Sequence, residues 1–198
     1  MKIIKLTGGY LDNNNYIVID GGEAVLIDAS VSVDEIDNAL DGAKLKAVLI
    51  THGHYDHISS LREILDKYHV KCYMSEKALP KLTDEHLNCS DLSEYKVICD
   101  IPRDDITLVR EGDVLDLLNT HIEVIETPGH TDCGVTYVIG NNMFTGDTLF
   151  KGCVGRYDLP TSSRSSLVVS VVKLMKKGDY IVYPGHGEST SIQNERRN

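Results

Sequence analysis

The stretch Ala47-Val48-Leu49-Ile50-Thr51-His52-Gly53-His54-Tyr55-Asp56-His57 places three imidazoles and a carboxylate at the end of an apolar run. The run Ala47 to Ile50 reads as a buried strand. Past a strand end, residues i and i+2 point the same way, so His52 and His54 can chelate one cation together. Asp56 and His57 follow as the chain turns into a helix, too near in sequence to fold back comfortably onto the same ion. A second ion beside the first would use them. N/O ligands without cysteine are the chemistry of a catalytic metal site rather than of a structural zinc knot. The competing reading makes Asp56 a helix cap within a solvated His-rich turn. It leaves unexplained the further His and Asp residues that recur downstream in the same setting.

Those residues come from segments of one design, in which a β-like run ends, a Gly or Pro-Gly turn follows, and a His or Asp is exposed there. Thr127-Pro128-Gly129-His130-Thr131 delivers His130, Gly146-Asp147-Thr148 delivers Asp147, and Pro184-Gly185-His186-Gly187 delivers His186. Loops at strand ends are where folds place chemistry. The simplest assembly puts His52, His54 and His130 on one ion and Asp56, His57 and His186 on the other. Asp147, with two carboxylate oxygens, bridges them, and a hydroxide between the metals fills the remaining gap. Two such ions lie about 3.5–4 Å apart and bring the pKa of bound water toward about 7. The expected cofactor is therefore two divalent ions, zinc first, with iron or manganese also suited to these ligands. His69, His86 and His121 lack this context and read as structural. Cys153 lies near Asp147 in sequence but reads as a small buried filler.

The wider composition restricts the class. The chain has 198 residues, fitting one domain over 1–198 with a sizeable core. Its net charge of −10 argues against nucleic acid or an anionic membrane as the main partner. Cys72, Cys89, Cys99, Cys133 and Cys153 are odd in number, widely spaced and without a C-x-x-C pair. They suit a reduced, cytoplasmic protein. Met1 to Leu6 lacks the apolar core of a signal peptide, and no stretch approaches membrane-spanning length.

Short β-like runs at 2–6, 16–19, 24–27, 46–50, 70–74, 97–101, 106–109, 114–118, 121–126, 135–139, 143–145 and 180–183, of which 121–126 alternates, predict strands. Asp20-Gly21-Gly22-Glu23, Asn119-Thr120 and Gly140-Asn141-Asn142 predict hairpin turns. Helices are predicted from Ser32 or Asp34 to Leu40, from Ile58 to Tyr68, briefly from Ser75 to Leu82, and from Ser163 to Met175. Residues 83–95 read as a polar surface insertion over the site. Hairpins mixed with βα succession predict mixed sheets covered by helices.

In combination, T-H-x-H-x-D-H at residues 51–57 and the later G-H-T, G-D-T and P-G-H-G stretches resemble the metallo-β-lactamase fold superfamily, over residues 51–187. The resemblance implies an α/β (α+β) fold, a four-layer αββα sandwich of two mixed sheets flanked by helices. It places the site at one edge of the sheets and implies the ligand split given above. Gly146-Asp147-Thr148-Leu149-Phe150 looks like glyoxalase II, the hydroxyacylglutathione hydrolase. Gly152-Cys153-Val154-Gly155-Arg156-Tyr157-Asp158 also resembles glyoxalase II and its neighbours, nearest the short bacterial glyoxalase-II-like hydrolases. Persulfide dioxygenases carry a similar G-C-G-R-x-D stretch and ligand pattern, yet use one iron. The longer glyoxalase II enzymes have a C-terminal helical domain that helps hold glutathione, whereas this sequence stops soon after His186. The thiol carrier is therefore open.

The expected function is a binuclear metal-dependent hydrolase, a glyoxalase II-like thioesterase for a small-molecule 2-hydroxyacyl thioester. Asp56 and Asp147 are the catalytic candidates, Asp56 also orienting the attacking hydroxide. Arg156 is the candidate for a substrate carboxylate, with a loop-bracing role as its rival. The alternatives are a mononuclear iron persulfide dioxygenase, a lactonase or other hydrolase of this fold, and a non-catalytic binding module. The complete ligand set argues against the last.

Overall fold

Side-chain alternation gives every strand two faces and so two packing partners. A computed structural model describes residues 1–197. Its first half forms β1 (Lys2–Gly8), β2 (Asn13–Asp20), β3 (Glu23–Ile27), β4 (Lys44–Leu49), β5 (Lys71–Ser75) and β6 (Ile106–Val109), adjacent in that order in one sheet. β1 to β3 pair antiparallel, and β3 to β6 pair parallel. Parallel pairs need crossovers. α1 (Val33–Leu40) supplies one, and α2 (Tyr55–Ile58) with α3 (Leu61–Tyr68) supplies the next. Ala24, Leu26 and Val48 face the core that these helices cover, while Val25, Ile27, Ala47 and Leu49 face the opposite way.

The second half adds β7 (Val114–Leu115), β8 (Ile122–Glu126), β9 (Val135–Ile139), β10 (Asn142–Gly146), β11 (Leu149–Phe150) and β12 (Cys153–Val154), then α4 (Arg164–Lys176), β13 (Ile181–Pro184), β14 (Thr190–Ser191) and α5 (Ile192–Glu195). The second sheet runs β14-β13-β10-β9-β8-β7, with β10 and β13 parallel and its other pairs antiparallel. Tyr16, Leu49, Val124, Tyr137 and Phe144 fill the space between the sheets, and Leu174 of α4 packs on Ile125, Met143 and Val182 behind the second. Helices, sheet, sheet, helix: the four expected layers are present.

Two tyrosines in the inter-sheet core fix the strand ends that matter for chemistry. The Tyr137 hydroxyl donates to Ile50 O at 3.0 Å, next to Thr51, and the Tyr16 hydroxyl donates to Pro184 O at 2.7 Å, next to Gly185. A buried aromatic supplies large apolar contact, and its hydroxyl must find a partner. Here both hydroxyls find the carbonyl just before a histidine-bearing loop.

Local chemistry explains most boundaries. Asp20 pairs with Glu23 across the two-residue turn Gly21-Gly22, both at positive φ (66° and 84°), which glycine adopts without steric cost. Ser32 and Glu35 form a reciprocal capping box for α1. Four expectations change. The helix predicted over 58–68 is divided at Ser59-Ser60 into α2 and α3, because Ser60 N–H bonds to Ala29 O instead of continuing the helix. The predicted strand 97–101 forms no strand pairing; Cys99 N bonds instead to Leu82 O. β2 begins three residues early, because Asn13, Asn14 and Asn15 are buried with satisfied amides. Cys153 is exposed rather than buried, since β12 pairs only with β11, as the outer strand of a hairpin outside the second sheet. All five cysteines are free thiols. No helix among the described residues is long and apolar enough to cross a membrane.

Candidate metal centre

His52, His54, Asp56 and His57 leave the end of β4, and the loops after β8, β10 and β13 bring His130, Asp147 and His186 to them. Their donor atoms fall into overlapping groups: His52 with His54 and His130, Asp56 with His57 and His186, and Asp147 with His52 and His57. His54 Nδ1 lies 3.2 Å from His52 Nε2 and 3.0 Å from His130 Nε2. Ligand nitrogens bound tetrahedrally at 2.0–2.1 Å stand about 3.3 Å apart, so this trio has the spacing of a coordination shell. Asp56 Oδ2 lies 3.1 Å from His186 Nε2 and 3.6 Å from His57 Nε2. Asp147 faces both groups, with Oδ1 3.4 Å from His57 Nε2 and Oδ2 3.5 Å from both His130 Nε2 and His186 Nε2. All seven predicted ligands are thus brought together.

Neighbours fix which nitrogen points inward. Asp28 Oδ2 lies 2.7 Å from His57 Nδ1, leaving Nε2 for the site. His130 Nδ1 sits 2.9 Å from Arg156 O, and His186 Nδ1 sits 3.1 Å from Leu11 O. Such outer partners set ring orientation and raise ligand basicity. Asp28 itself is fully buried and also accepts from Thr51 N and Oγ1. It is the residue that sequence reasoning missed. The available signal was its position: like the ligand segments, it is an acid closing an apolar strand, Ala24 to Ile27. The carbonyls of Leu11 and Arg156 had no signal, because main-chain atoms carry none.

Glycines make room. A Cβ on Gly53 would come 2.7 Å from Lys81 Cβ, and one on Gly185 would come 2.2 Å from Asp147 Oδ1 and 2.7 Å from His57 Cε1. Gly146 holds φ 49° just before Asp147, where a Cβ would strike Thr51 Oγ1 at 2.5 Å.

Electrostatics favour a cation here. Burial first, and then the neighbouring imidazoles, hold His52 well below its usual pKa and His54 down to about 3, so both are neutral donors. Burial works against charging Asp56 and Asp147, yet His57 above all pulls both below the usual carboxylate range. Burial likewise opposes protonating His57 and His186, but Asp56, Asp28 and Asp147 raise His57, and Asp56 with Asp147 raises His186. Three buried carboxylates therefore hold positive charge at the centre, by proton or by metal. Asp147 Oδ1 is buried, with the His57 Nε2 contact at 3.4 Å beside it. Donor set, spacing and charge all fit divalent cations.

Above the ligands opens a cavity of about 580 Å³. Leu11, Tyr55, Cys89, Leu92, Phe150 and Leu159 form its walls, together with Arg156. Cys89 and Leu92 confirm that the 83–95 segment overlies the site. The Arg156 guanidinium forks onto Asp158 at 2.9 and 3.0 Å, which raises its pKa. Arg156 thus reaches the pocket, but with its charge already paired.

Known proteins are similar to this chain over nearly all of its length. A probable metallo-hydrolase of Streptococcus pyogenes serotype M6 is 33% identical, covering 99% of this chain and 88% of that protein. The hydroxyacylglutathione hydrolase GloC of Haemophilus influenzae is 31% identical over 94% of this chain and 86% of its own. Among solved structures, the B3 metallo-beta-lactamase BLEG-1 superposes with a TM-score of 0.93 at 27% identity, covering 100% of this chain and 97% of that one. TTHA1623 in a di-iron-bound form gives 0.86 at 29% identity, covering 98% and 97%. Residues 8–186 match the family described as the metallo-beta-lactamase superfamily, and the chain belongs to that superfamily.

Proposed function

We propose that this chain is a two-metal thioester hydrolase acting on 2-hydroxyacyl thioesters, of the glyoxalase II type. The observation that carries the two-metal part is the position of Asp147, between a trio of imidazoles and a second group of two imidazoles and a carboxylate. His52, His54 and His130 would hold one ion and Asp56, His57 and His186 the other, with Asp147 shared. Zinc is the first candidate, and iron or manganese suits the same ligands.

Bound divalent ions would supply Lewis acidity and a hydrolytic nucleophile at neutral pH. The protein's part is positioning. Asp28, Leu11 O and Arg156 O aim the imidazoles, Asp56 orients the attacking water, and the walls hold the thioester over the ligands. Water supplies the new oxygen on the acyl carbon, and the C–S bond breaks with its electron pair left on sulfur. One proton of that water goes to the thiolate in solvent, and the other leaves as the hydroxy acid ionises.

The leaving group favours a thioester over a lactam. A thiolate departs without a proton, its conjugate acid having a pKa near 8.5, whereas an amine needs an acid. The non-ligand acids on the walls are poor ones: burial raises Tyr55, with Asp56 adding to it, and pushes Cys89 to about 11. The five free cysteines fit a reducing compartment, and we place the enzyme in the cytoplasm. The GloC relative and the G-D-T-L-F stretch support the acyl-thiol class. The test is kcat/KM on lactoyl thioesters, a β-lactam and a lactone, with metal content measured on the same protein. Thioesters should lead. Efficient opening of the lactam or lactone with every thioester intact would overturn the assignment, and oxygen uptake with a persulfide would replace it with a dioxygenase.

A further inference from the structure

Two large apolar side chains stand in water at the mouth of the cavity. Leu11 and Leu92 are each 67% exposed, and both line it. They come from different segments, Leu11 from the turn between β1 and β2 and Leu92 from the short helical turn Ser90–Leu92. Phe150 and Leu159 continue the apolar surface down toward the ligands. Exposed hydrophobics gathered around a concave site mark binding surface.

The Leu11 position is held at a cost. Its φ is 59° and that of Asp12 is 53°, the left-handed region that residues other than glycine avoid. What fixes the turn is also what the centre uses: Leu11 O pairs with His186 Nδ1, while the Leu11 side chain points to the pocket. Strain of this kind collects at functional sites. The two rims are joined as well. Tyr10 lies between Tyr55 and Tyr95, with ring centroids 5.5 and 4.8 Å away, tying the Leu11 turn to the segment that carries Leu92.

Charge points the same way. Arg156 is the one Lys or Arg among the described residues lining the cavity, and Asp158 holds it through both oxygens. A thiol carrying two carboxylates would meet a paired guanidinium in a chain of net charge −10. An apolar thiol would meet leucines.

We propose that the Leu11–Leu92 rim is an apolar subsite for the leaving thiol, so the substrate class is 2-hydroxyacyl thioesters of uncharged, apolar thiols. The assignment rests on the thioesterase function proposed above, with the same C–S cleavage and proton balance.

The experiment is a homologous series on metal-replete protein: S-lactoyl esters of propane-, butane-, pentane- and hexanethiol, with S-lactoylglutathione beside them. The four alkanethiols have matching acidity, so within the series the chemical step is constant and kcat/KM reports contact with the rim; the glutathione thiol is the more acidic, so leaving-group ability alone would favour its ester. Each added methylene should raise kcat/KM about threefold, and the glutathione ester should fall roughly tenfold or more below the hexanethiol ester. Leu92→Ala, at an exposed position that leaves folding intact, should flatten the series. A flat or falling series, a preferred glutathione ester, or an unchanged slope in Leu92→Ala overturns the subsite while the thioesterase stands. If no thioester is cleaved at all, both fall together.

Discussion

Lys81 Nζ lies 2.6 Å from Asp132 Oδ1, and the lysine side chain is only 1% exposed against 40% for the aspartate. The pair fastens the helical turn Glu76–Leu82, which packs on the His52–His54 segment, to the His130 loop. The Lys81 stem packs on Gly53, between His52 and His54, and Asp132 follows His130 by two residues. Removing Asp132 would strand a buried ammonium with Lys77 O, 3.3 Å away, as its remaining hydrogen-bond partner. Removing the lysine charge would leave a carboxylate that water already reaches. Asp132→Ala should therefore cost about 2–3 kcal/mol, below the full penalty for a broken buried pair because water screens this one. Lys81→Met, which refills the stem, should cost less. Urea unfolding of the two variants checks the order, and a larger loss in Lys81→Met would contradict it.

Gly185 stands where any Cβ collides with Asp147 and His57. Gly185→Ala should lower metal content per chain while leaving far-UV circular dichroism unchanged, because the β13 strand ends just before it. Full metal loading in this variant would show that the centre tolerates the displacement.

Asp147 and Arg156 lie in neighbouring loops but should behave differently. Loss of a group that only orients a metal ligand costs 10–100-fold, so loss of a shared carboxylate, Asp147→Ala, should cost more than about hundredfold in kcat/KM. Arg156→Ala removes a guanidinium already paired with Asp158. It should stay within about fivefold, mainly in KM. Small, equal effects would mean that the site is misassigned.

Alkaline pH should destabilise the fold through its buried acids. Burial pushes the Cys72 thiol to about 12 and the Cys99 thiol to about 11, and raises Tyr137 well above its usual value. Unfolded thiols ionise near 8.5. Above that, the unfolded chain binds fewer protons than the folded one. This contribution to stability is therefore complete below about pH 8.5 and lost as pH rises toward the folded values. Urea midpoints at pH 7.5 and 10 should show the fall, and Cys72→Ala should reduce it. A rising midpoint would contradict the sign. At pH 7.5 a thiol reagent should label Cys153 first in native protein, since the other four cysteines are buried.

The seven clustered His and Asp residues could be picked out from the sequence because their chemistry lies in side-chain identity and spacing at strand ends. Mixed sheets covered by helices followed from hairpins among βα units, and the four layers from the family resemblance; the continuously apolar run Ala24 to Ile27 does not itself show that Val25 and Leu26 face different cores. What escaped was carried by the backbone or by long-range partners. Asp28 works through His57, and Leu11 and Arg156 work through carbonyls. Asn13 to Asn15 look like a solvated turn, yet they are buried and bonded in β2, with Asn15 held by Ser30 and Asn14 by Pro184 O. Cys153 was misplaced because nothing in its neighbours shows that β12 is the exposed strand of a separate hairpin. Residues 97–101 have strand composition but no strand beside them.

The direct measurement is metal stoichiometry: metal per chain by elemental analysis after incubation with excess zinc, iron or manganese and removal of loosely held ions. The predicted value approaches two for wild type, because seven candidate ligands, in overlapping groups, exceed one four-coordinate shell. A value that stays near one with every metal would contradict the two-metal centre and favour mononuclear iron chemistry.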